Sequence, residues 1–452
     1  MKLRPFFGAI PALAICIAFL ATVSQAYVGG NWITYTTKNS GLASDDVRAI
    51  GMDSNGIMWF GTANGLSRFD GKTWTTYTTA NKLAHNTVNT IMYEFGPYGD
   101  EIWVGTEGGV SVISSKPDAV TIATPYTTTN TKYPGMISDK IYSAAVDTQH
   151  VRWFGTDKGL MSFNGAKWKA YTASDTTAQK LADNHVNAIA YETTKNGPEN
   201  WIGTNNGISV MNTKIDAVSF ATPYTTKNTK YPGMISDTIL AAALDTKNVK
   251  WFGTDKGVTS FDGSKFKSYT TLDFLSDNHI TSIAVDKNNM IYFGTVSGGV
   301  CRFDGVSSAS PLDTNWSAIA SNNIRAVAVG KYGALWFATD QGVTRYIPEG
   351  SSVNETAAFP NALSIRGVFP NPFNPSTTIV FSLPRTGQAT LAIYNPSGQK
   401  IRELVSGAIT AGNHSMQWDG RDDKGKIVSS GVYITRLRMG AMTASQSMLL
   451  LK

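Results

Sequence analysis

Seven times this chain repeats one short pattern: an aromatic residue, a second apolar residue, glycine or alanine, and then threonine. The copies occupy residues 59–62, 103–106, 153–156, 201–204, 251–254, 292–295 and 336–339. From Gly61 through Gly105, Gly155, Gly203, Gly253 and Gly294 to Ala338 the steps are 44, 50, 48, 50, 41 and 44 residues. That period holds four short strands and their turns, the content of one propeller blade. One repeated unit therefore organises most of the chain.

The first full copy, residues 47–78, divides into four strand-sized pieces at Asn55-Gly56, Asn64-Gly65 and Asp70-Gly71. Such pairs favour turns because glycine accepts positive φ without a Cβ clash. Each blade is thus expected to be an antiparallel meander. The third residue of each first strand is Ala49, Thr90, Ser143, Ala188, Ala241, Ser282 or Ala326. Small side chains there suit the crowded strand nearest a ring axis. The second-strand tryptophans are then expected to fill the wider gap between blades. Each removes roughly 150–250 Å² from water, an upper estimate of about 4–6 kcal/mol. Two positions before each first strand stands Asp45, Asn86, Asp139, Asn184, Asp237, Asn278 or Asn322. A short acceptor there is read as a cap on the turn into the strand, in preference to a ring of metal ligands.

The seventh repeat ends at Tyr346 without an aromatic fourth strand, and Trp32-Ile33-Thr34-Tyr35 supplies one near the N-terminus. A seven-bladed β-propeller closed by an N-terminal strand follows, spanning residues 27–348. Repeats two and three recur as four and five at an offset of 98 residues: Ala123-Thr124-Pro125-Tyr126 returns as Ala221-Thr222-Pro223-Tyr224. These duplicated loops are long for blade connections and are expected to shape the ring's mouth.

Residues 1–26 carry Lys2 and Arg4, an apolar run from Phe6 to Val23 and a small-x-small end at Ser24-Gln25-Ala26, which reads as a secretory signal peptide. No later stretch is apolar enough to span a membrane. Beyond the signal only Cys301 remains, so no internal disulfide can form. Residues 27–358 hold 27 Lys and Arg against 29 Asp and Glu, and this near-neutral balance argues against nucleic acid as a ligand. Residues 349–361 are polar, contain Gly350-Ser351-Ser352, and read as a linker. Residues 362–452 show turn signals about every ten residues and apolar alternation at 389–394 and 432–437, the pattern of a small immunoglobulin-like β-sandwich. The fold class is all-β.

With the Trp-x-Gly-Thr, Gly-Leu and Phe-Asp-Gly elements in view, residues 32–346 resemble the two-component regulator propeller repeats. That resemblance implies an extracytoplasmic binding domain of the kind used to sense polysaccharide fragments. The chain has no kinase or response-regulator region, so binding is carried over and signalling is not. Residues 366–452, with 369–379 (FPNPFNPSTTI), Trp418-Asp419-Gly420 and Ser430-Gly431-Val432-Tyr433, are similar to C-terminal sorting domains of bacterial type IX secretion, which share an immunoglobulin-like fold with a flagellar hook-capping protein. This implies passage to the cell exterior, with the secretion machinery as a partner. A permanent accessory domain is the alternative, and a periplasmic location the alternative compartment.

No catalytic constellation, metal site or cofactor fingerprint stands out. His85, His185 and His279 fall in one turn position that sister repeats fill with other residues, and no zinc spacing appears. Asp53-Ser54-Asn55-Gly56 and residues 419–423 lack full calcium-loop ligand sets. Glu107, Asp157, Asp255 and Asp340, in second-to-third strand turns, are the acids to test for a polysaccharide hydrolase or lyase. The second residues of the first strands, among them Arg48, Asn89, Tyr142, Asn187 and Arg325, are expected to ring the mouth. Ring closure would bring Arg48 and Arg325 together beside Asn89, two fixed forks for a carboxylate or sulfate, with salt-bridging or solvation between blades as the alternative. Tyr133 and Tyr231 on the duplicated loops are expected to add stacking surfaces for a sugar. The reading is a monomeric, non-enzymatic recognition protein, secreted or at the cell surface, that binds a glycan or protein. A structural cell-surface component is the third class.

Overall fold

The computed structural model describes residues 30–451 apart from 97–98, 117–118, 131, 175–179, 195–196, 215–216, 228–229, 316, 349–362, 370 and 411. The signal segment and the linker lie outside the described residues. Seven four-stranded antiparallel sheets follow one another along the chain. In blade one the strands are Val47–Met52, Met58–Thr62, Gly65–Phe69 and Trp74–Tyr77, each within a residue or two of the turn-based expectation. Each blade's first strand packs beside the first strands of both neighbouring blades, blade one against blade seven included, which makes these strands the inner wall of a closed ring.

Closure uses the borrowed strand. Gly30–Tyr35 pairs antiparallel with Gly342–Pro348, from Gly30 opposite Pro348 to Tyr35 opposite Val343. This covers an edge that would otherwise offer free N–H and C=O groups to another chain. Trp32 packs its ring 4.4 Å from that of Tyr346.

Each letter of the repeated motif now has a physical reason. The aromatic residue bridges to the next blade: Trp103 meets Phe154 and Phe163, Trp201 meets Phe252 and Phe261, and Trp336 meets Phe60 and Phe69. All seven aromatics are buried. The glycine permits close approach, since a Cβ on Gly61, Gly203 or Gly253 would lie 2.5–2.6 Å from Val88, Ile239 or Ile280 on the following inner strand. The threonine ties the turn. Thr62 Oγ1 donates to the Gly65 carbonyl at 2.8 Å and accepts from Asn64 N at 3.1 Å, and the other six copies do the same.

The Asp or Asn before each inner strand does cap backbone, but across the joint between blades. Its carboxylate or amide oxygen accepts from the backbone just past the preceding outer strand: Thr128 N to Asp139 at 2.6 Å, Thr226 N to Asp237 at 2.6 Å, Thr37 N to Asp45 at 2.7 Å. The carbonyls of Asp45, Asn86, Asp139, Asp237 and Asn322 also accept from the glycine that opens the preceding third strand, as in Gly342 N to Asp45 O at 2.7 Å. Each such residue therefore clamps its blade to the previous one.

The C-terminal part is a two-sheet sandwich. Ser364–Phe369, Thr377–Leu383 and Gly412–Trp418 form one sheet, and Lys400–Ile409, Gly387–Tyr394, Gly431–Met439 and Met442–Leu450 the other. Trp418, Phe373, Phe381, Leu391 and Leu437 fill the space between them. The Asn-Pro-Phe segment docks on the last strand, where Phe373 N donates to Leu449 O and Leu451 N to Phe373 O.

Candidate functional site

A β-bulge builds the mouth. In all seven blades the pairing of the first and second strands slips by one residue near its start, as between Val47 and Ala49 opposite Thr62 and Gly61. The skipped residues are Arg48, Asn89, Tyr142, Asn187, Leu240, Thr281 and Arg325. A bulge frees a side chain from the pleat and re-aims it. The second-to-third strand turns lie at the same end, since Asn89 Nδ2 reaches Glu107 Oε1 at 2.7 Å and Asn187 Nδ2 reaches Asn205 Oδ1 at 2.9 Å.

Ring closure brings Arg48 and Arg325 together on one carboxylate. Arg48 donates from Nε and Nη2 to Asp46 Oδ2 at 3.2 and 3.1 Å. Arg325 Nε lies 3.0 Å from Asp46 Oδ1, an ion-pair contact without hydrogen-bond alignment. The two side chains remain 33% and 38% exposed, so two guanidinium groups share one counter-charge with faces open to water. Asp46 is the carboxylate that both guanidinium groups contact at the joint of blades seven and one.

Asn89 does not join this pair. Its amide also donates to Ile141 O at 3.1 Å, and Asn187 donates likewise to Ile239 O at 2.9 Å, while Thr281 Oγ1 donates to Ile324 O at 2.5 Å. These three tie each inner strand to the next. Tyr142 stacks on His185 with centroids 4.9 Å apart, on the far side of the mouth. Burial, then the charges of Glu107 and Asp157, push its phenol above the usual tyrosine range.

The four candidate acids are all engaged. Glu107 accepts from Asn89, Asp157 from Ser138 Oγ at 2.5 Å, Asp255 from Ser236 Oγ at 2.5 Å, and Asp340 from Asn323 Nδ2 at 3.4 Å. Among the described residues no group of three His, Cys, Asp or Glu side chains is arranged to hold a metal. Asp53 is a turn residue, accepting from Asn55 N and Ile57 N.

Tyr133 and Tyr231 lie elsewhere. Tyr126 and Tyr224 pair with Val110 and Ile208 at the ends of third strands, in the place that Tyr77 and Tyr171 hold in blades one and three. Tyr133 packs on Tyr126 and Phe163, and Tyr231 on Tyr224 and Phe261. The duplicated loops thus cover outer seams of the ring, at blades two to three and four to five.

One constellation escaped the sequence reading. Asp147 Oδ2 accepts from the Trp153 indole at 3.0 Å, Asp245 from Trp251 at 3.2 Å, and Asp286 from the Tyr292 hydroxyl at 3.3 Å. The signal was a fixed spacing of six residues from turn acid to aromatic.

Comparison with known proteins supports this architecture. Residues 375–441 match the FlgD Ig-like domain, and residues 41–64 and 275–297 match the two component regulator propeller family. Among solved structures, the chain resembles PorZ of Porphyromonas gingivalis, described as a bacterial surface component of the type-IX secretion system, at 17% identity and a TM-score of 0.53 over 93% of this chain and 61% of that one. It also resembles the extracellular domain of a putative hybrid two component system from B. thetaiotaomicron, at 17% identity and a TM-score of 0.55 over 93% of this chain and 57% of that one. A streptogramin B lyase structure aligns at 15% identity and a TM-score of 0.51 over 72% of this chain and 99% of that one. These likenesses establish the fold. The chain spans about three fifths of the length of the first two. No curated protein sequence matches it. No helix among the described residues is long and apolar enough to cross a membrane.

Proposed function

We propose that this is an exported, non-enzymatic recognition propeller that binds an acidic glycan, or an acidic protein segment, at the cell exterior. The observation that carries the reading is the Arg48 and Arg325 pair, held half-exposed on the single carboxylate of Asp46 at the ring's mouth. Two guanidinium groups with one counter-ion recognise a second carboxylate or a sulfate, and their planar forks give that recognition direction. A non-enzymatic role accords with the mouth acids, each already serving a hydrogen bond inside the ring. The C-terminal domain is read as a type IX sorting or surface-attachment element, supported by its match to the FlgD Ig-like domain.

Binding to an array of uronate, sulfated and neutral oligosaccharides tests the site. Arg48→Ala and Arg325→Ala should each weaken binding of the acidic members at least tenfold, and unchanged affinity in both variants removes the arginine site. The placement of Glu107 and Asp157 around Tyr142 favours a second reading, cleavage of a polysaccharide. Product release that Asp157→Asn abolishes would replace the first reading with the second.

A further inference from the structure

The two peripheral grooves form a matched pair. Residues 123–139 and 221–237 are identical at 16 of 17 positions, Thr129 facing Lys227 as the one difference. The residues around them have diverged: 86–122 keep 18 of 37 identities with 184–220, and 140–171 keep 19 of 32 with 238–269. Packing accounts for part of this agreement. Met136 and Met234 are buried, and a Cβ on Gly135 or Gly233 would come within 3.2 or 2.8 Å of Trp168 or Phe266. Packing makes no demand on Ala123, Thr124 and Lys132, or on Ala221, Thr222 and Lys230, which are exposed in both copies. Buried seams of a duplicated unit usually drift least, and here exposed groove residues have drifted less than the strands beside them.

Each loop lines an open groove, of about 530 Å³ between Ala123 and Tyr133 and about 600 Å³ between Ala221 and Tyr231. In each, a lysine ammonium sits over a half-buried tyrosine: Lys132 Nζ is 5.1 Å from the Tyr133 centroid and Lys230 Nζ is 5.2 Å from that of Tyr231. An alanine, threonines, a proline and a second tyrosine form the remaining walls, with Asn130 in the first groove and Lys227 in the second. The nearby acids Asp139 and Asp237 are already held by the backbone and hydroxyl of Thr128 and Thr226.

We infer that these grooves are twin subsites for one repeating acidic glycan, each taking a uronate or sulfated sugar through its lysine, its tyrosine edge and its threonine hydroxyls. This rests on the glycan reading above but uses a different surface. A C–H face of a pyranose packs against the aromatic ring, and the anionic group meets the ammonium. An open groove lets a chain run through it, and two matched grooves two blades apart, the second carrying Lys227 where the first has Thr129, let one polymer be held twice. Effective concentration then raises polymer affinity over that of a short fragment by about 10²–10⁴ where the span is matched.

Calorimetric titration with galacturonate and chondroitin sulfate hexasaccharides, and with their parent polymers, tests the proposal. The Arg48→Ala, Arg325→Ala double variant, in which the mouth site is removed, should bind two copies of one hexasaccharide, one at each groove. In that background Lys132→Ala or Lys230→Ala should leave one, and both together none, with polymer affinity falling about 10²-fold in each single lysine variant. The lysines are exposed, so folding is preserved, and Tyr133→Ala with Tyr231→Ala gives a second pair for the same readout. A double variant of Arg48→Ala and Arg325→Ala should keep both groove sites. A stoichiometry other than two at the grooves, equal binding of neutral dextran fragments, or hexasaccharide binding that survives both lysine changes in the arginine double variant would each overturn the inference. If the arginine variants alone abolish binding, the grooves fail while the mouth reading stands.

Discussion

Replacing Trp336 by alanine examines both the interblade role of the repeated aromatics and the closure of the ring. Trp336 is 4% exposed and lies between blades seven and one, with ring centroids 5.3 Å from Phe60, 6.1 Å from Tyr35 and 6.3 Å from Phe69. Arg345 covers it at 5.5 Å. Burying about 240 Å² at 25 cal/mol per Å² gives about 6 kcal/mol as a ceiling, and a compact unfolded state lowers this toward about 4. Large-to-small changes of buried aromatics cost about 3–5 kcal/mol because the cavity closes only in part. We therefore expect a loss of about 4 kcal/mol in chemical denaturation and a fall in Tm of about 6–12 °C. Trp153→Ala, equally buried but between blades three and four, should cost a similar amount. Hydrogen exchange separates the two. Amides of Gly30–Tyr35 and Gly342–Pro348 should exchange faster in Trp336→Ala and hardly change in Trp153→Ala. A loss under about 1 kcal/mol, or equal exchange in the two variants, would refute the argument that these rings are the mortar between blades.

Two further outcomes follow from the turns. Burial, and then the charge of Asp100, push the Asp53 carboxyl up to about 6 from 3.8. The folded chain therefore holds a proton that the unfolded chain releases, and this contribution is full below about pH 4 and lost as pH rises through about 6, on the order of 3 kcal/mol. Asp53→Asn should gain stability relative to the parent between pH 4 and pH 7.5, and parallel pH profiles would show the reasoning wrong. Thr156→Val keeps the shape of a buried side chain but removes a 2.7 Å bond to Gly159 O and a 3.0 Å bond from Lys158 N. A loss of about 1–3 kcal/mol by denaturant titration is expected, and a change under about 0.5 would mean the motif threonine is dispensable.

The ring was legible in the sequence because its period is written seven times, and because Trp32 to Tyr35 supplied the strand that residues after Tyr346 lacked. Strand assignments survived for the same reason: Asn-Gly and Asp-Gly pairs mark where blade one turns. The mouth was legible by position only. That residues 48 and 325 approach follows from closure, and Asp46 stands two residues before Arg48, but its second contact, to Arg325, joins the first and last blades and leaves no local pattern. Asn89 and Asn187 looked like ligand groups because a bulged asparagine has no distinctive neighbours in sequence, whereas in space a carbonyl of the next blade waits for each. Tyr133 and Tyr231 were placed at the mouth because a long loop carries no information on radius. The outer position of Tyr126, set by its pairing with Val110, decides it.

The clamp formed by Asp45 and its six counterparts has a direction. Each of these residues reaches backward, to a neighbour already synthesised, in six of the seven joints, so blades can be fastened in the order in which they emerge. Asp45 holds Thr37 at once, but its carbonyl must wait for a partner still to come, because Gly342 belongs to the last sheet. Until then the growing assembly is an arc with two sticky ends, and its hazard is a second arc of the same kind. Folding has this one late event to protect.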